Sequence, residues 1–382
     1  MGADVIKIEP PGGDTARRHG PFFHGQAEAG KSIPWLTYNL NKRGITLDLT
    51  TATGKDILRR LVATASFLVE SYPPGYLDKL GLGFQSLIET NPRLVMVSIT
   101  PFGQSGPHSS YKADDMVAMA TGGMMAICGD SDRPPLQVGM PLAFGLASAQ
   151  ATSAAMLAHY QQLRTGRGSH VDVSIQEAVV DTLHTIPQFW HHEKVIQHRG
   201  SKAYGGRMTR DSYRVKDGYV SLQLYWGKGP GTRMNGLLKW MQAEGCQADI
   251  VRVDFNELTG FSITQEQVEH WEDEVAAFLS RFTKAEAYER ALQYRAFLFP
   301  VNSPKDLAED SQLRARGFFK DVHHPELSRS LRYPGPFCKF AEASSPICRR
   351  APLFGEHNHE IYVEEMGFSG DDLRMLKESG IV

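Results

Sequence analysis

The sequence predicts an α/β protein, with a large domain built on a parallel sheet and a smaller α+β domain. Three observations carry that expectation. Short apolar runs alternate with helix-period segments through the first half of the chain. Composition shifts near residue 195, and a hairpin pattern and two amphipathic segments follow. A long return then runs from residue 303 to the C-terminus, the topology expected of a chain that rejoins its first domain. The expected division is 1–197 for the first part of the large domain, 198–312 for the small domain with its linkers, and 313–382 for the return.

Taken in order, DVIKIE (4–9) is a β-rich run ended by Pro10-Pro11-Gly12-Gly13. GITLDL (44–49) alternates as a strand does. Thr53 can cap the helix after it, where Ile57, Leu58, Leu61, Val62 and Ala65 recur at helical spacing. SFLVES (66–71) is a short strand closed by YPPG, and FQSLIET (84–90) is a helix broken by Asn91-Pro92. RLVMVSIT (93–100) has the pattern of a buried strand, with PFGQSG (101–106) as its turn. HVDVSI (170–175) is a strand leading into a helix, QEAVVDTLHTIPQFW. HRGSKAYGGRMTR (198–210) reads as a mobile loop, and DSYRV and GYVSLQLYW form a hairpin around Lys216-Asp217-Gly218. Thr264 to Gln267 fits a capping box. It opens a helix with Val268, Trp271, Val275, Phe278 and Leu279 on one face. Residues 284–295 form another helix, and Ser369 caps the last one.

From Pro134 to Leu163, thirty consecutive positions carry no Asp, Glu, Lys or Arg, in a chain that is 22% charged. A membrane span needs about 20 predominantly apolar residues. This run is interrupted by Pro141, Gln137, Gln150, Gln161 and Gln162, and its apolar content is mostly Ala. It reads instead as a helix from Phe144 to Leu163 whose small residues let neighbours crowd it on all sides. A net charge of −2 lacks the basic footprint of a nucleic-acid binder. The opening GADVIKIEPPGGD lacks the apolar core of a signal peptide, and the four cysteines have no CxxC spacing, so a cytoplasmic protein with free thiols is expected.

Several chemical motifs are absent or incomplete. GKGPG (227–231) follows a strand but has neither GK[ST] nor GxGxxG, so a flexible turn is expected there. His191-His192, His323-His324 and His357/His359 lack a zinc ligand pattern, and no metal is expected. No GxSxG elbow is present, and Cys128 beside Gly129 has no local base.

Five stretches together resemble the class III CoA-transferases, which include formyl-CoA transferase and carnitine CoA-transferase and are related to α-methylacyl-CoA racemase. They are GADVIKIEPPGGD (2–14), NLNKRGITLDL (39–49), VESYPPGYLDKLGLGFQSLIETNPRLVMVSITPFGQSGP (69–107), RTGRGSHVDVSIQEAV (164–179) and APLFGEHNHEI (351–361). The resemblance implies a Rossmann-like large domain, a smaller domain and an interlocked dimer, either a homodimer or a heterodimer with a second family chain. It implies an acyl-CoA and a carboxylic acid as ligands, and no tightly bound cofactor. In IEPPGG, Glu9 and Pro10 would lie along the nucleotide; Ser71 and Tyr72 would meet adenine; Lys79, in YLDKLG, would meet phosphate; and Lys112 would also contact CoA. It also implies a strand and helix ahead of GADVIKIE. The sequence opens at that point, so unpaired edges are expected on the strands beside it.

The transferase chemistry that the resemblance implies needs one aspartate, which attacks the thioester and carries acyl and then CoA groups. It stands about twenty-one residues before the Thr of TGRG. Here that position is Phe144, in LAFG, and no carboxylate occurs between Asp132 and Asp172. Asp114, Asp115 and Glu177 are the nearby acids, each read first as a structural acceptor or cap. The racemase variant needs a His where Ala113 stands. Three readings follow: a CoA-transferase moving CoA between an acyl-CoA and a carboxylic acid; a non-catalytic CoA-binding subunit of a two-chain transferase; and an acyl-CoA racemase.

Overall fold

The structure is a computed structural model that describes residues 2–28, 30–130, 132–197, 199, 203–204, 207–260, 262–342 and 347–382. The chain forms two compact units. The first comprises Met1–Asp114, Ala143–Ala178 and Glu309–Val382; the second comprises Asp115–Leu142 and Val179–Ala308. Against the expected boundaries at 197 and 312, residues 115–142 and 179–197 fall in the second unit, and residues 309–312 in the first.

In the first unit, β1 (Val5–Glu9) pairs in parallel with β2 (Lys42–Thr46). A separate parallel sheet has the order β3 (Phe67–Glu70), β4 (Val95–Thr100), β5 (Ser169–Ser174). Among the described residues, β1 pairs only with β2, and β3 only with β4, so each strand has one open edge. Helices Ala52–Thr64 and Phe84–Thr90 connect these strands and bury Ile57, Leu58, Val62 and Leu87 against Ile45, Leu47, Leu94 and Met96. The C-terminal return completes that core with Ile361, Tyr362, Leu373 and Leu376. It is also tied to β2: the Tyr362 hydroxyl donates to the Thr46 carbonyl at 2.6 Å, and the Asn358 side chain accepts from the Thr46 amide at 3.0 Å.

Thr51, not Thr53, caps helix Ala52–Thr64, and its hydroxyl accepts the Gly54 amide at 3.0 Å. The reason is a turn at Asp48 that ends two residues earlier than the periodicity suggests. It brings the Asp48 carbonyl so near Gly54 that a Cβ there would lie 1.8 Å away. In TGRG, Gly168 has the same role: a Cβ would lie 2.0 Å from the Leu94 carbonyl, and its amide donates to the Pro92 carbonyl at 2.8 Å.

The uncharged stretch forms the helix Leu142–Thr165, and it is not crowded on all sides. Its buried residues are Ala143, Ala147, Ala151, Ala158 and Gln162, while Met156, Leu157, Tyr160 and Leu163 are 56–72% exposed. Ala at successive i, i+4 positions makes one narrow, close-packing stripe, and the larger apolar residues lie off it. Among the described residues, no helix is long and apolar enough to cross a membrane.

The segment expected as one helix after β5 is instead helix Ile175–Asp181, a turn at residues 182–184, and a short helix Thr185–Gln188 that continues into a wider turn, Phe189–Glu193. Pro187 has no N–H for the carbonyl four residues back, and the Thr182 hydroxyl takes the Val179 carbonyl at 2.7 Å.

The second unit contains the expected hairpin, Ser212–Val215 with Gly218–Ser221, extended by Phe299–Pro300. Tyr213, Val220, Trp240, Phe255, Trp271 and Phe278 are buried in its core. Helices Gln265–Leu279 and Lys284–Tyr294 both open with complete capping boxes. Of the loop expected over 198–210, residues 198, 200–202, 205 and 206 lie outside the described residues, and Arg207–Met208 pairs antiparallel with Ala203–Tyr204.

Candidate functional site

Glu9 ends β1 and is fully buried. Its carboxylate accepts Arg17 Nε and Nη2, each at 2.7 Å, and the Asp14 amide at 3.0 Å. The Arg17 guanidinium also lies 3.8 Å from the centroid of the Trp35 ring and donates to the Pro352 carbonyl at 3.0 Å. Glu9 therefore serves as the internal anchor of the Pro-Pro-Gly-Gly turn, and Pro10 is exposed at its tip.

Basic groups gather behind that turn. The Lys7 ammonium bonds Asp14, and Arg18 donates to the Gly12 carbonyl at 3.2 Å. Burial pushes the Asp14 carboxyl up, but the bonds from Lys7 and the Ala16 amide outweigh it and leave the group below its usual value. Lys42 donates to the Tyr38 carbonyl and Asn39 Oδ1, both at 2.9 Å. Burial, with the nearby Lys7 charge, lowers its ammonium to about 8.

After β3, Tyr72 stacks on Tyr76 with ring centroids 4.9 Å apart, and its amide donates to Glu70 at 2.7 Å. Burial raises the Tyr72 phenol, and the charges of Tyr76, Glu70 and Asp14 add to the shift. The charge of Asp14, on the loop after β1, thus reaches Tyr72 on the loop after β3. Ser71 is exposed, and so is Lys79, which ends the short helix Tyr76–Lys79. Lys112 is exposed in the segment between β4 and helix Asp115–Thr121.

A cavity of about 160 Å³ lies beside the C-terminal end of β3 and the middle of β4. Glu70, Tyr76, Phe84, Ser98, Gln104 and His170 are among its lining residues. Ser98 Oγ and His170 Nε2 share a hydrogen bond at 2.8 Å, and the His170 ring stacks on Phe84 with centroids 5.4 Å apart. The sequence reading missed this pair. Its only sequence signal is that Ser98 and His170 are polar positions within two apolar strand patterns.

Phe144 lies in the first turn of helix Leu142–Thr165 and is 40% exposed; its carbonyl accepts the Ser148 hydroxyl at 2.7 Å. The acids named with it stand on other elements. Asp114 is exposed at the edge of the first unit, Asp115 is buried where helix Asp115–Thr121 begins in the second, and Glu177 is exposed in the first turn of helix Ile175–Asp181.

Residues 1–358 match the family model described as CoA-transferase family III, and the chain belongs to that family. It is 34% identical to the succinyl-CoA:(R)-benzylsuccinate CoA-transferase subunit BbsE of Thauera aromatica, a match covering 100% of this chain and 92% of that protein. It is 30% identical to formyl-CoA:oxalate CoA-transferase of Streptomyces coelicolor, covering 100% and 93% of the two chains. Among solved structures, a CAIB/BAIF family protein from Brucella suis superposes with a TM-score of 0.80 at 26% identity, covering 95% of this chain and 92% of that one.

Proposed function

We propose that this chain is a CoA-binding subunit of a class III CoA-transferase that moves CoA between an acyl-CoA and a carboxylic acid, and that a second family chain supplies the attacking carboxylate. The observation that carries this reading is Phe144 in the first turn of its helix, at the position where the resemblance implies the aspartate of the family chemistry. A phenyl ring can neither attack a thioester nor hold an acyl group. The chain's similarity to a protein named as a transferase subunit supports the same division of labour.

In this reading the loops after β1 and β3 hold the nucleotide end of CoA. The Tyr72–Tyr76 stack offers an aromatic face to adenine, Ser71 flanks it, and Lys79 and Lys112 offer cations to phosphate. Glu9 positions the turn through Arg17, with Pro10 against the ligand. The exposed apolar residues of helix Leu142–Thr165 form the surface for the second chain, in an interlocked dimer. Four free cysteines fit a cytoplasmic location. Ala113, at the position of the racemase histidine, removes support for racemisation.

The test is to express the chain alone and together with a second family chain that carries the aspartate. Alone, it forms no hydroxylamine-sensitive acyl or CoA adduct by intact mass; paired, the complex transfers CoA and the adduct maps to the partner. Phe144→Asp restores a carboxylate at a helix start, where negative charge is favoured, and is expected to make the chain itself trappable. An adduct on Asp114, Asp115 or Glu177 of the unmutated chain would overturn the proposal.

A further inference from the structure

The second unit holds a cluster unrelated to the CoA site. Helix Gln265–Leu279 places His270 and Glu274 one turn apart on the same face, and Asp249 opens the neighbouring turn Asp249–Arg252. His270 Nε2 lies 3.5 Å from Asp249 Oδ2 and 3.6 Å from Glu274 Oε1, and the three donor atoms all fall within 4.8 Å of one another. A zinc ion with bonds of about 2.0–2.1 Å to nitrogen and oxygen has tetrahedral edges of about 3.3–3.4 Å. The two measured separations are within a few tenths of an ångström of that edge.

Glu274 is held in place. Its two oxygens accept the Asp249 and Ile250 amides at 2.7 and 2.9 Å, and each keeps a lone pair. The helix also carries Glu266 and Glu269 with no Lys or Arg of its own, whereas Glu272 and Asp273 are paired with Arg210, so the field from this helix that favours a cation comes from the first two acids. Asp249 and His270 are exposed, so an ion can reach them.

We infer that Asp249, His270 and Glu274 form a binding site for a divalent transition-metal ion of the zinc class, with one nitrogen and two oxygen ligands and a fourth position open to water. The ion clips the Asp249–Arg252 turn to the helix and stabilises the second unit with the logarithm of the free ion concentration over its Kd. In the sequence His270 stands in no metal-binding pattern, because Asp249 lies twenty-one residues upstream of it.

The experiment titrates the full-length, tag-free chain with Co²⁺ and then Zn²⁺. One equivalent of Co²⁺ should produce visible ligand-field absorption that Zn²⁺ abolishes, and Zn²⁺ should raise the melting temperature. Loss of even an outer-shell partner commonly costs 10–100-fold in metal affinity, so His270→Ala and Asp249→Asn should each weaken Zn²⁺ binding by at least about tenfold. Both positions are on the surface, and circular dichroism checks that the variants fold. A His191→Ala/His192→Ala control should bind as the parent does. The inference is overturned by the absence of saturable one-to-one binding, by unchanged affinity in His270→Ala, or by loss of binding in the control. In those cases the cluster is an ion triad only.

Discussion

Helix Leu142–Thr165 and helix Gln265–Leu279 handle their apolar residues in opposite ways. The second is richly charged, yet it buries Val268, Trp271, Val275, Phe278 and Leu279 within its own unit and exposes Glu266, Glu269 and Asp273, while the buried Glu272 pairs with Arg210. The first carries a single charge, Arg164, but buries little beyond alanine and leaves Met156, Leu157, Tyr160 and Leu163 exposed. Amphipathic spacing thus reports burial inside the chain. Absence of charge reports only that water is a poor neighbour, and a surface kept for another chain satisfies that condition equally well.

The comparison breaks most severely at Trp271, which packs on Phe255 with ring centroids 5.3 Å apart. Trp271→Ala should destabilise the second unit by about 3–5 kcal/mol, read by denaturant unfolding. If Leu157→Asp cost as much in the isolated chain, the contrast would fail. Its exposure predicts a change within about 0.5 kcal/mol in folding, as for other surface positions. If the proposed partner surface is right, the same substitution should weaken association with a second family chain by about 2 kcal/mol or more, since it would place a charge within that surface. Sedimentation of the mixed chains separates the two effects.

Lys79 extends the comparison from the proposed partner surface to the proposed ligand surface. Lys79→Ala should leave unfolding unchanged and weaken CoA binding by roughly 1–3 kcal/mol, the range for a charged hydrogen bond. Calorimetry that finds equal affinity would remove Lys79 from the site.

The smallest effect concerns how helices are capped. Helix Gln265–Leu279 closes its box with neutral Gln267, whereas the C-terminal helix Gly370–Glu378 uses Asp372. Hydrogen bonds from the Ser369 hydroxyl and amide hold the Asp372 carboxyl below its ordinary 3.8. A depressed acid contributes stability that is fully present above the ordinary value and is lost as pH falls through the depressed one. Amide exchange should therefore show the C-terminal helix fraying in acid before helix Gln265–Leu279 responds, and Asp372→Asn should remove that difference.

What the sequence determined by itself is the local part. Strand runs, turn residues and capping boxes depend on neighbours within a few positions, and DVIKIE, FQSLIET and Thr264–Gln267 fold as read. The interest of Phe144 likewise comes from the sequence, through its resemblance to the family and the count back from TGRG. Tertiary structure decided whatever depends on contact across the chain. The Glu9 carboxylate anchors a loop because Arg17, braced by Trp35 and the distant Pro352 carbonyl, reaches it. Ser98 meets His170 because β4 and β5 pair. The long helix exposes its larger side chains because its alanine stripe occupies the inner face. A backbone hydrogen bond or a cap is set by a handful of torsions, whereas the partner of a side chain in a packed unit is set by where every other element has settled.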